Sequence, residues 1–552
     1  MNSLPPFPRP PADRRDRFRA SGAWEDDFID GHVRAAGRSL PESLAVVDGT
    51  VVLTWGQVDN LADRIGAGLQ AGGVEPGDVV SWQLPNWHEA VIVHHAVLRI
   101  GAVSNPIVPI YRQREVGYIL RTSRTKVFLV PRTFRGFSYQ SMVEELRPEL
   151  PDLLETVYVR GKPDGSGLTF GQLAAFDASG LREVTRSPDD PTLLMFTSGT
   201  TANPKGVVHS HNTLNYENRS IAEVYELGAG DRVFMPSPLS HITGMLYGVQ
   251  LPAMLGIGVV LQDIWEPRRA LKLISTYRCT YIMAATPFLH GLAYHEDLGQ
   301  FDVSSLRVFA CGGADAPPAL ISDAQERLGC WTTRVYGSTE MPTLSTTAPS
   351  GDTQRAAQTD GCPIGAATFR VLNEEDKPAE PGSVGELCVD GPERFLGYLI
   401  PSDGEGAFTA DGLFRTGDLA SADEDGYLTI RGRKKDIILR GGENISVSEV
   451  EELLFEHPAV REVAVVAMPD PVMVERACAF VVPQPGSRVE LADLAGFLRS
   501  SGIAVQKLPE RLEIVSELPK TQSGKIQKFL LRQQIATLIE SESGTAPADR
   551  AR

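Results

Sequence analysis

The chain has 552 residues, with 53 Lys and Arg against 70 Asp and Glu and a formal net charge of −17. That length exceeds what one hydrophobic core usually serves, so at least two domains are expected. The acidic balance excludes broad nucleic-acid binding, which needs a basic face to neutralise phosphates, while 42% hydrophobic and 22% charged residues fit an ordinary globular protein.

In chain order, the N-terminus is rich in Pro and Arg and alternates charges through Asp27, without the apolar run of a secretory signal. Residues 55–70 carry a helical pattern. The glycines at Gly66 and Gly68 imitate a dinucleotide fingerprint, but they sit inside that helix rather than after a strand, so close helix packing is expected instead. Residues 78–84 read as a strand, 87–100 as a helix with His94 and His95 as core or surface filling, and 126–131 as a strand. Residues 193–196 and 206–211 are strand-like, with helix only from Asn212. The apolar stretch 245–261 contains Gln250 and Pro252 and falls short of the ~20 residues that span a bilayer, so it reads as buried core and no integral membrane association is expected. A strand is predicted at 306–310. This alternation of helix and strand is that of a doubly wound sheet.

Composition changes near Arg431, where charge and glycine are packed together through Asn444. Beyond it, a capped helix at 446–455, strands at 462–468 and 477–482, a helix at 491–499 and a strand at 511–515 predict a small α+β domain. The polar tail from Glu540 reads as disordered. Six cysteines (Cys279, Cys311, Cys330, Cys362, Cys388, Cys478) lie far apart with no metal-ligand spacing, which fits a reduced cytoplasmic setting.

Between the strands at 193–196 and 206–211 runs Thr197-Ser-Gly-Thr-Thr-Ala-Asn-Pro-Lys-Gly206. Glycine lets backbone N–H groups approach an anion, hydroxyls add donors, and lysine supplies a charge-assisted contact, so the segment suits phosphate. A Walker A loop ends in Gly-Lys-Ser/Thr and enters a helix directly, which this segment does not do. A polar surface hairpin is the alternative for the segment taken alone.

Four further segments follow. Cys311-Gly-Gly-Ala314 and Arg334-Val-Tyr-Gly-Ser-Thr-Glu340 each end a strand and together offer a flat backbone surface, an aromatic face and a carboxylate, suited to adenine, a ribose or phosphate contact and Mg²⁺. Phe414-Arg-Thr-Gly-Asp418 supplies a carboxylate that can accept from a ribose diol. Leu518-Pro-Lys-Thr-Gln-Ser-Gly-Lys-Ile-Gln-Lys528 presents a glycine-flanked lysine before a helix, and with 431–435 forms the basic clusters that read as parts of a site.

These five segments in this order resemble the adenylate-forming superfamily of acyl-CoA synthetases, nonribosomal-peptide adenylation domains and firefly-type luciferases, over about residues 41–531. The resemblance implies an α/β fold: a large N-terminal domain with doubly wound sheets and a distorted barrel (1–432), a hinge (433–436), and a small mobile α+β domain (437–552) carrying the catalytic lysine. It implies ATP, Mg²⁺ and coenzyme A as cofactors and co-substrates. Thr197, Ser198, Gly199, Thr200, Thr201 and Lys205 would hold the β- and γ-phosphates. Gly312, Gly313, Ala314 and Tyr336 would hold the adenine, Thr339 the α-phosphate, and Glu340 with Thr200 the magnesium, with Gly337 and Ser338 also in the nucleotide site. Asp418 and Arg433 would hold the ribose, Lys435 would sit at the hinge, and Gly441 and Gly442 would line the thiol tunnel. Lys525 would bridge the acid carboxylate and the α-phosphate. Relatives usually carry glycine where this chain has Ala202, which bears on loop mobility and ATP affinity.

Amino-acid-activating relatives carry an aspartate near the segment 234–244. Here it reads Phe-Met-Pro-Ser-Pro-Leu-Ser-His-Ile-Thr-Gly, so an amino acid's ammonium would go unpaired. By the same resemblance His241 is placed as a gate, and Ile242, Thr243, Met245, Val335, Met341, Pro342 and Thr343 line an acyl pocket together with Ala310 and the stretch 284–288. These are mostly apolar, as an acyl chain or an alicyclic or polycyclic ring requires. Within the superfamily, the phrasing of 99–109 and 130–137 is most similar to cyclohexanecarboxylate-CoA ligases and short- to medium-chain acyl-CoA synthetases. The expected activity is therefore acid activation to an acyl adenylate, then transfer to CoA. An adenylating enzyme that loads a carrier-protein pantetheine is the alternative. A scaffold without turnover would be expected to show a broken motif, and Lys205, Glu340, Asp418, Arg433 and Lys525 are all present. The residues leave the oligomeric state, dimer included, open.

Overall fold

The computed structural model describes residues 7–544 apart from 198–203, 314–315, 441–442, 446, 471–472, 502, 504 and 522–523. The chain forms two compact units, one of residues 1–313, 319–369 and 389–414, the other of 314–318, 370–388 and 415–552. Residues 415–432, expected on the N-terminal side of the cut, cluster with the second unit, where strand Phe414–Ala422 pairs antiparallel with Leu428–Arg433.

The first unit contains a nine-stranded and an eight-stranded sheet. In the nine-stranded sheet, Trp331–Tyr336, Val308–Gly312, Tyr281–Ala284, Arg232–Met235, Gly258–Leu261 and Leu44–Asp48 are parallel neighbours in that order. In the eight-stranded sheet, Val103–Pro106, Val79–Trp82, Val127–Pro131 and Glu155–Val159 are parallel, and the hairpin Pro191–Thr197/Lys205–Ser210 joins them along Val103–Pro106.

One apolar core joins the sheets. It contains Val127 and Leu129 from one sheet, Val233 and Met283 from the other, and Trp55, Ile65, Ile92 and Val97 from the helices Trp55–Ala71 and His88–Arg99. Phe128 and Val130 face the opposite way, into a second core with Ile119 and Met142. A parallel strand covered on both faces must be apolar at every position, which is why these strands read as continuous hydrophobic runs rather than alternating ones. The long helix begins at a capping box, Thr54 accepting from the Gln57 N–H while the Gln57 side chain accepts from the Thr54 N–H. Gly66 and Gly68 have the packing role expected of them: a Cβ on Gly68 would lie 2.8 Å from Leu173 and one on Gly66 would lie 3.1 Å from Leu181.

The 245–261 stretch is buried as the short helices Ile242–Met245 and Leu251–Leu255, the π-helical turn Leu246–Gln250 between them, and strand Gly258–Leu261. Among the described residues no helix is long and apolar enough to cross a membrane.

The second unit carries most of a four-stranded sheet (Thr368–Leu372, Gly385–Asp390, Phe414–Ala422, Leu428–Arg433) and a sheet built on the long hairpin Val460–Asp470/Val474–Pro483. Alternate residues of that hairpin serve two cores. Val463, Val465 and Val481 pack with helices Val447–Phe455 and Leu491–Ser500, while Val466 and Phe480 pack with Leu531 and Ile535 of the helix Lys528–Gly544. That last helix continues beyond Glu540, where polar composition suggested a disordered tail. Glu542 pairs with Arg511 across 2.7 Å, which gives the polar turn a partner on the sheet.

Candidate active site

In the first unit the functional residues collect at strand ends. Antiparallel pairing sets Thr197 opposite Lys205, so the phosphate-loop segment is closed at its base by the hairpin it was expected to join. Ser198, Gly199, Thr200, Thr201 and Ala202 lie outside the described residues. The Lys205 Nζ donates to the Asp403 carbonyl (2.7 Å) and stands 5.0 Å from the ring centroid of Tyr398.

Strand Val308–Gly312 runs two residues later than predicted, and its register pairs Gly312 with Val335. A Cβ on Gly312 would lie 2.6 Å from the Val335 carbonyl, so glycine is what lets the two strand ends approach. Gly313 has φ +81 and is exposed. Ala314 lies outside the described residues. Tyr336 closes the neighbouring strand, Trp331–Tyr336, and is half-buried. The carboxyl ends of parallel strands are where α/β sheets place ligands.

The turn after Tyr336 is the most heavily braced feature of this region. Its own bonds run from the Ser338 N–H to the Met341 carbonyl (2.8 Å), from the Met341 N–H to Ser338 Oγ (3.1 Å) and from the Leu344 N–H to the Tyr336 carbonyl (2.9 Å). Gly337 lies so close to the far side of the turn that a Cβ would sit 1.6 Å from the Pro342 carbonyl oxygen. The His209 Nε2–H donates to the Thr339 carbonyl (2.7 Å); burial pushes this imidazole down to about 4, keeping it neutral. The Phe395 N–H donates to the Glu340 carbonyl (2.9 Å), and Tyr398 Oη donates to Glu340 Oε1 (2.8 Å). Burial and the adjacent Glu340 push the Tyr398 phenol up, so it remains a donor.

Glu340 is therefore a half-buried carboxylate held through one oxygen by a tyrosine whose ring Lys205 approaches. A hard oxygen donor of this kind fits Mg²⁺. Thr200, the other residue expected to hold the magnesium, falls outside the described residues. A second cluster, Asp48, His88 and Glu89, also has metal-ligand spacing. Arg160 already supplies the cation there, bonding Glu89 at 2.8 Å and also Asp48.

Around the expected acyl pocket, His241 caps the helix Ile242–Met245, its Nδ1 accepting from the Thr243 N–H (3.3 Å). Gly244 permits a close crossing, since a Cβ there would lie 2.0 Å from the Pro238 carbonyl. Ile242, Met245, Val335, Met341, Pro342 and Thr343 are buried and Thr243 half-buried.

Four contributors escaped the sequence reading: His209, Tyr398, Glu217 and Arg14. Glu217 had a signal, because it falls three residues after Leu214 and four before Ile221, on the apolar stripe of the helix His211–Val224. Arg14 had none. It is buried 4% exposed and donates to the carbonyls of Phe395 (3.1 Å), Gly391 (3.1 Å) and Arg394, bracing the segment that holds Glu340.

In the second unit, Asp418 and Arg433 are register partners on adjacent strands, with Nε–Oδ1 at 3.0 Å, and Asp418 is buried. The Lys525 segment is a tight turn. The Thr521 N–H donates to the Lys525 carbonyl (2.7 Å), the Lys525 N–H to Thr521 Oγ1 (3.1 Å), and Lys520 bridges Ile526, while the Lys525 side chain is exposed. Lys435 lies in the turn Lys434–Asp436. Gly441 and Gly442 lie outside the described residues.

A family model described as "AMP-binding enzyme" matches residues 33–399, and one described as "AMP-binding enzyme C-terminal domain" matches 449–525. The medium-chain fatty-acid–CoA ligase of Escherichia coli (strain K12) is 36% identical over 526 residues, covering 95% of this chain and 93% of that protein. The 2-hydroxy-7-methoxy-5-methyl-1-naphthoate–CoA ligase of Streptomyces carzinostaticus is 33% identical over 546 residues, covering 96% and 97%. Among solved structures, an anthranilate CoA ligase in complex with anthranoyl-AMP superposes with a TM-score of 0.85 at 26% identity, covering 94% of this chain and 98% of that one.

Proposed function

The chain belongs to the AMP-binding enzyme family, and on that premise we propose that it is an AMP-forming acid–thiol ligase acting on a carboxylic acid with an apolar body. The observation that carries this reading is the braced turn after Tyr336, which presents Glu340, bonded to Tyr398, at the carboxyl end of a parallel strand, with Lys205 over the Tyr398 ring. Two carbon skeletons are favoured by the relatives, a medium-length chain and a fused ring. The apolar lining assigned to the pocket suits either.

The acid's carboxylate, already ionised near neutral pH, attacks the α-phosphorus of ATP; a carboxyl O–P bond forms and the bond to pyrophosphate breaks. Magnesium, when bound, neutralises the departing phosphates. Lys205 and the hydroxyls of 197–201 are assigned to the β- and γ-phosphates, Gly312 and Tyr336 to adenine, and Thr339 to the α-phosphate. Asp418 and Arg433 are assigned to the ribose: the buried carboxylate accepts from a diol, and its ionic partner holds it oriented. Lys525 meets the negative charge that develops on the α-phosphate. A thiol then attacks the acyl carbon and AMP leaves, with Gly441 and Gly442 assigned to the thiol path and 433–436 to the hinge between the two half-reactions.

Acids of graded chain length and ring size, supplied with ATP, magnesium and free CoA, test the proposal through AMP release and acyl-CoA formation. Acyl-CoA is the expected product. Acyl-AMP accumulating while CoA goes unused would assign the acyl group to a carrier-protein pantetheine instead. Absence of pyrophosphate exchange with every acid would overturn the ligase reading.

A further inference from the structure

Beneath the turn that carries Thr339 and Glu340 lies an acid with no place in the chemistry so far. Glu217, on the helix His211–Val224, is 0% exposed. Its Oε2 accepts from the Thr343 N–H (3.3 Å), its Oε1 is bonded to Tyr247 Oη, and that same hydroxyl lies 2.5 Å from Thr343 Oγ1. Both arms of the carboxyl thus end on one residue, the last of the turn. Tyr247 is 2% exposed and Thr343 is 2% exposed, so water cannot substitute for either bond.

We propose that Glu217 is a positioning residue for acid activation, a buried strut that fixes Thr343 and through it the turn bearing Thr339 and Glu340. The turn is short and stiff. Gly337 abuts Pro342, Ser338 bonds Met341, and Tyr336 bonds Leu344, so a displacement at Thr343 is transmitted to the two residues between Ser338 and Met341. The opposite side is held by His209 at Thr339 and by Tyr398 and the Phe395 N–H at Glu340. Removing the strut leaves the side of the turn at Thr343 without its buried side-chain support.

Burial favours the neutral acid, against the hydrogen bonds from Tyr247 and Thr343, which favour the ionised form. Among the described residues no lysine or arginine pairs with Glu217, and burial pushes its carboxyl up to about 7. The groups facing it are Tyr247 from the π-helical turn, Tyr216 from its own helix and Tyr225 just past that helix's end, Tyr281 from the strand Tyr281–Ala284, and Glu393 from the 391–395 segment with Arg14 of the N-terminal helix beyond it. A neutral carboxyl donates to Tyr247 Oη, which passes its proton toward Thr343 Oγ1, while the other oxygen accepts from the Thr343 N–H. Ionisation reverses that polarity and places a charge near a second buried carboxyl, Glu393.

The test compares wild type with E217Q, E217L and Tyr247→Phe, reading pyrophosphate exchange between about pH 6 and pH 9, Mg·ATP affinity by calorimetry without acid, and thermal unfolding. Glutamine can donate to Tyr247 and accept from the Thr343 N–H, so E217Q should stay within about three-fold of wild type at its acid optimum and lose the alkaline decline. E217L, similar in volume but unable to bond, should lower kcat about 10- to 100-fold and weaken Mg·ATP binding. Should E217L fail to fold, Tyr247→Phe, which removes one arm only, should lower kcat about three- to ten-fold. A folded E217L with wild-type kcat and Mg·ATP affinity would overturn the strut, as would Tyr247→Phe with wild-type kcat and affinity where E217L does not fold. An E217Q that keeps the alkaline decline would overturn the neutral-acid form of it. The choice of assay rests on the ligase reading; if wild type exchanges pyrophosphate with no acid, that reading fails, while the calorimetric comparison still decides the strut.

Discussion

Replacing Gly337 by alanine tests the functional reading of the turn most directly. The added Cβ would lie 1.6 Å from the Pro342 carbonyl oxygen, 2.5 Å from its carbonyl carbon and 3.1 Å from the Met341 oxygen. The first of these is about 1.4 Å short of the 3.0 Å that real Cβ atoms respect. The obstacle is backbone on a residue flanked by anchored neighbours, so no side-chain rotation relieves it. Either the strand end at Tyr336 or the segment at Pro342 must move by about 1 Å, carrying Thr339 and Glu340 with it. A displacement of about 1 Å at a reacting centre costs about 100-fold in rate, and overpacking of this kind costs about 1–3 kcal/mol in stability. Pyrophosphate exchange and urea denaturation on the same preparations read the two effects. Gly77→Ala is the control: that glycine has φ +86 but open space around its Cβ position and lies outside the site, so the cost is local backbone strain of about 1 kcal/mol. A Gly337→Ala enzyme within three-fold of wild type in kcat, or no more damaged than Gly77→Ala, would refute the claim that this close approach positions the site.

Lys525→Ala should lower adenylate formation by about 10² to 10³ while thioester formation from supplied acyl-AMP stays largely intact; equal loss of both half-reactions would refute its assignment to the α-phosphate alone. Glu217 and His209 should give stability opposite pH dependences. The raised Glu217 pKa contributes stability that is full below its unfolded value and is lost as pH rises through about 7, at most about 3 kcal/mol; E217Q should flatten that loss in urea titrations. The depressed His209 pKa contributes stability present above its unfolded value and lost as pH falls through about 4, again at most about 3 kcal/mol, and NMR of ring-labelled histidine should find it neutral at about pH 5.5. Arg14→Met removes three bonds from a buried guanidinium to carbonyls and should cost about 3 kcal/mol. It should also weaken Mg·ATP binding, because the segment it braces carries Tyr398.

The elements were legible wherever the pattern was long and one-sided. The helix predicted at 55–70 is Trp55–Ala71, the one at 491–499 is Leu491–Ser500, and the strands at 462–468 and 477–482 are the cores of the long hairpin. Strand ends were less legible. Val308–Gly312 was placed two residues early because its final residues, Cys311 and Gly312, read as loop chemistry, whereas pairing with Trp331–Tyr336 draws them into the ladder. The last helix passes Glu540 because pairing with Arg511 is a tertiary effect that polar composition does not carry.

What sequence alone determined was the chemistry on offer: a hydroxyl- and glycine-rich loop between strands, a tyrosine and a carboxylate at a strand end, an aspartate and a lysine in order behind them. Such groups are local, because each is fixed by residue type and by the few neighbours that set its turn. Only the tertiary structure decided how those groups are held. His209 reaches Thr339, Tyr398 reaches Glu340, and Arg14 grips a segment 377 residues and more away in sequence. Glu217 lies under Thr343. A buried polar group is stable only where folding brings it a partner, and no periodicity along the chain encodes which distant residue that partner is.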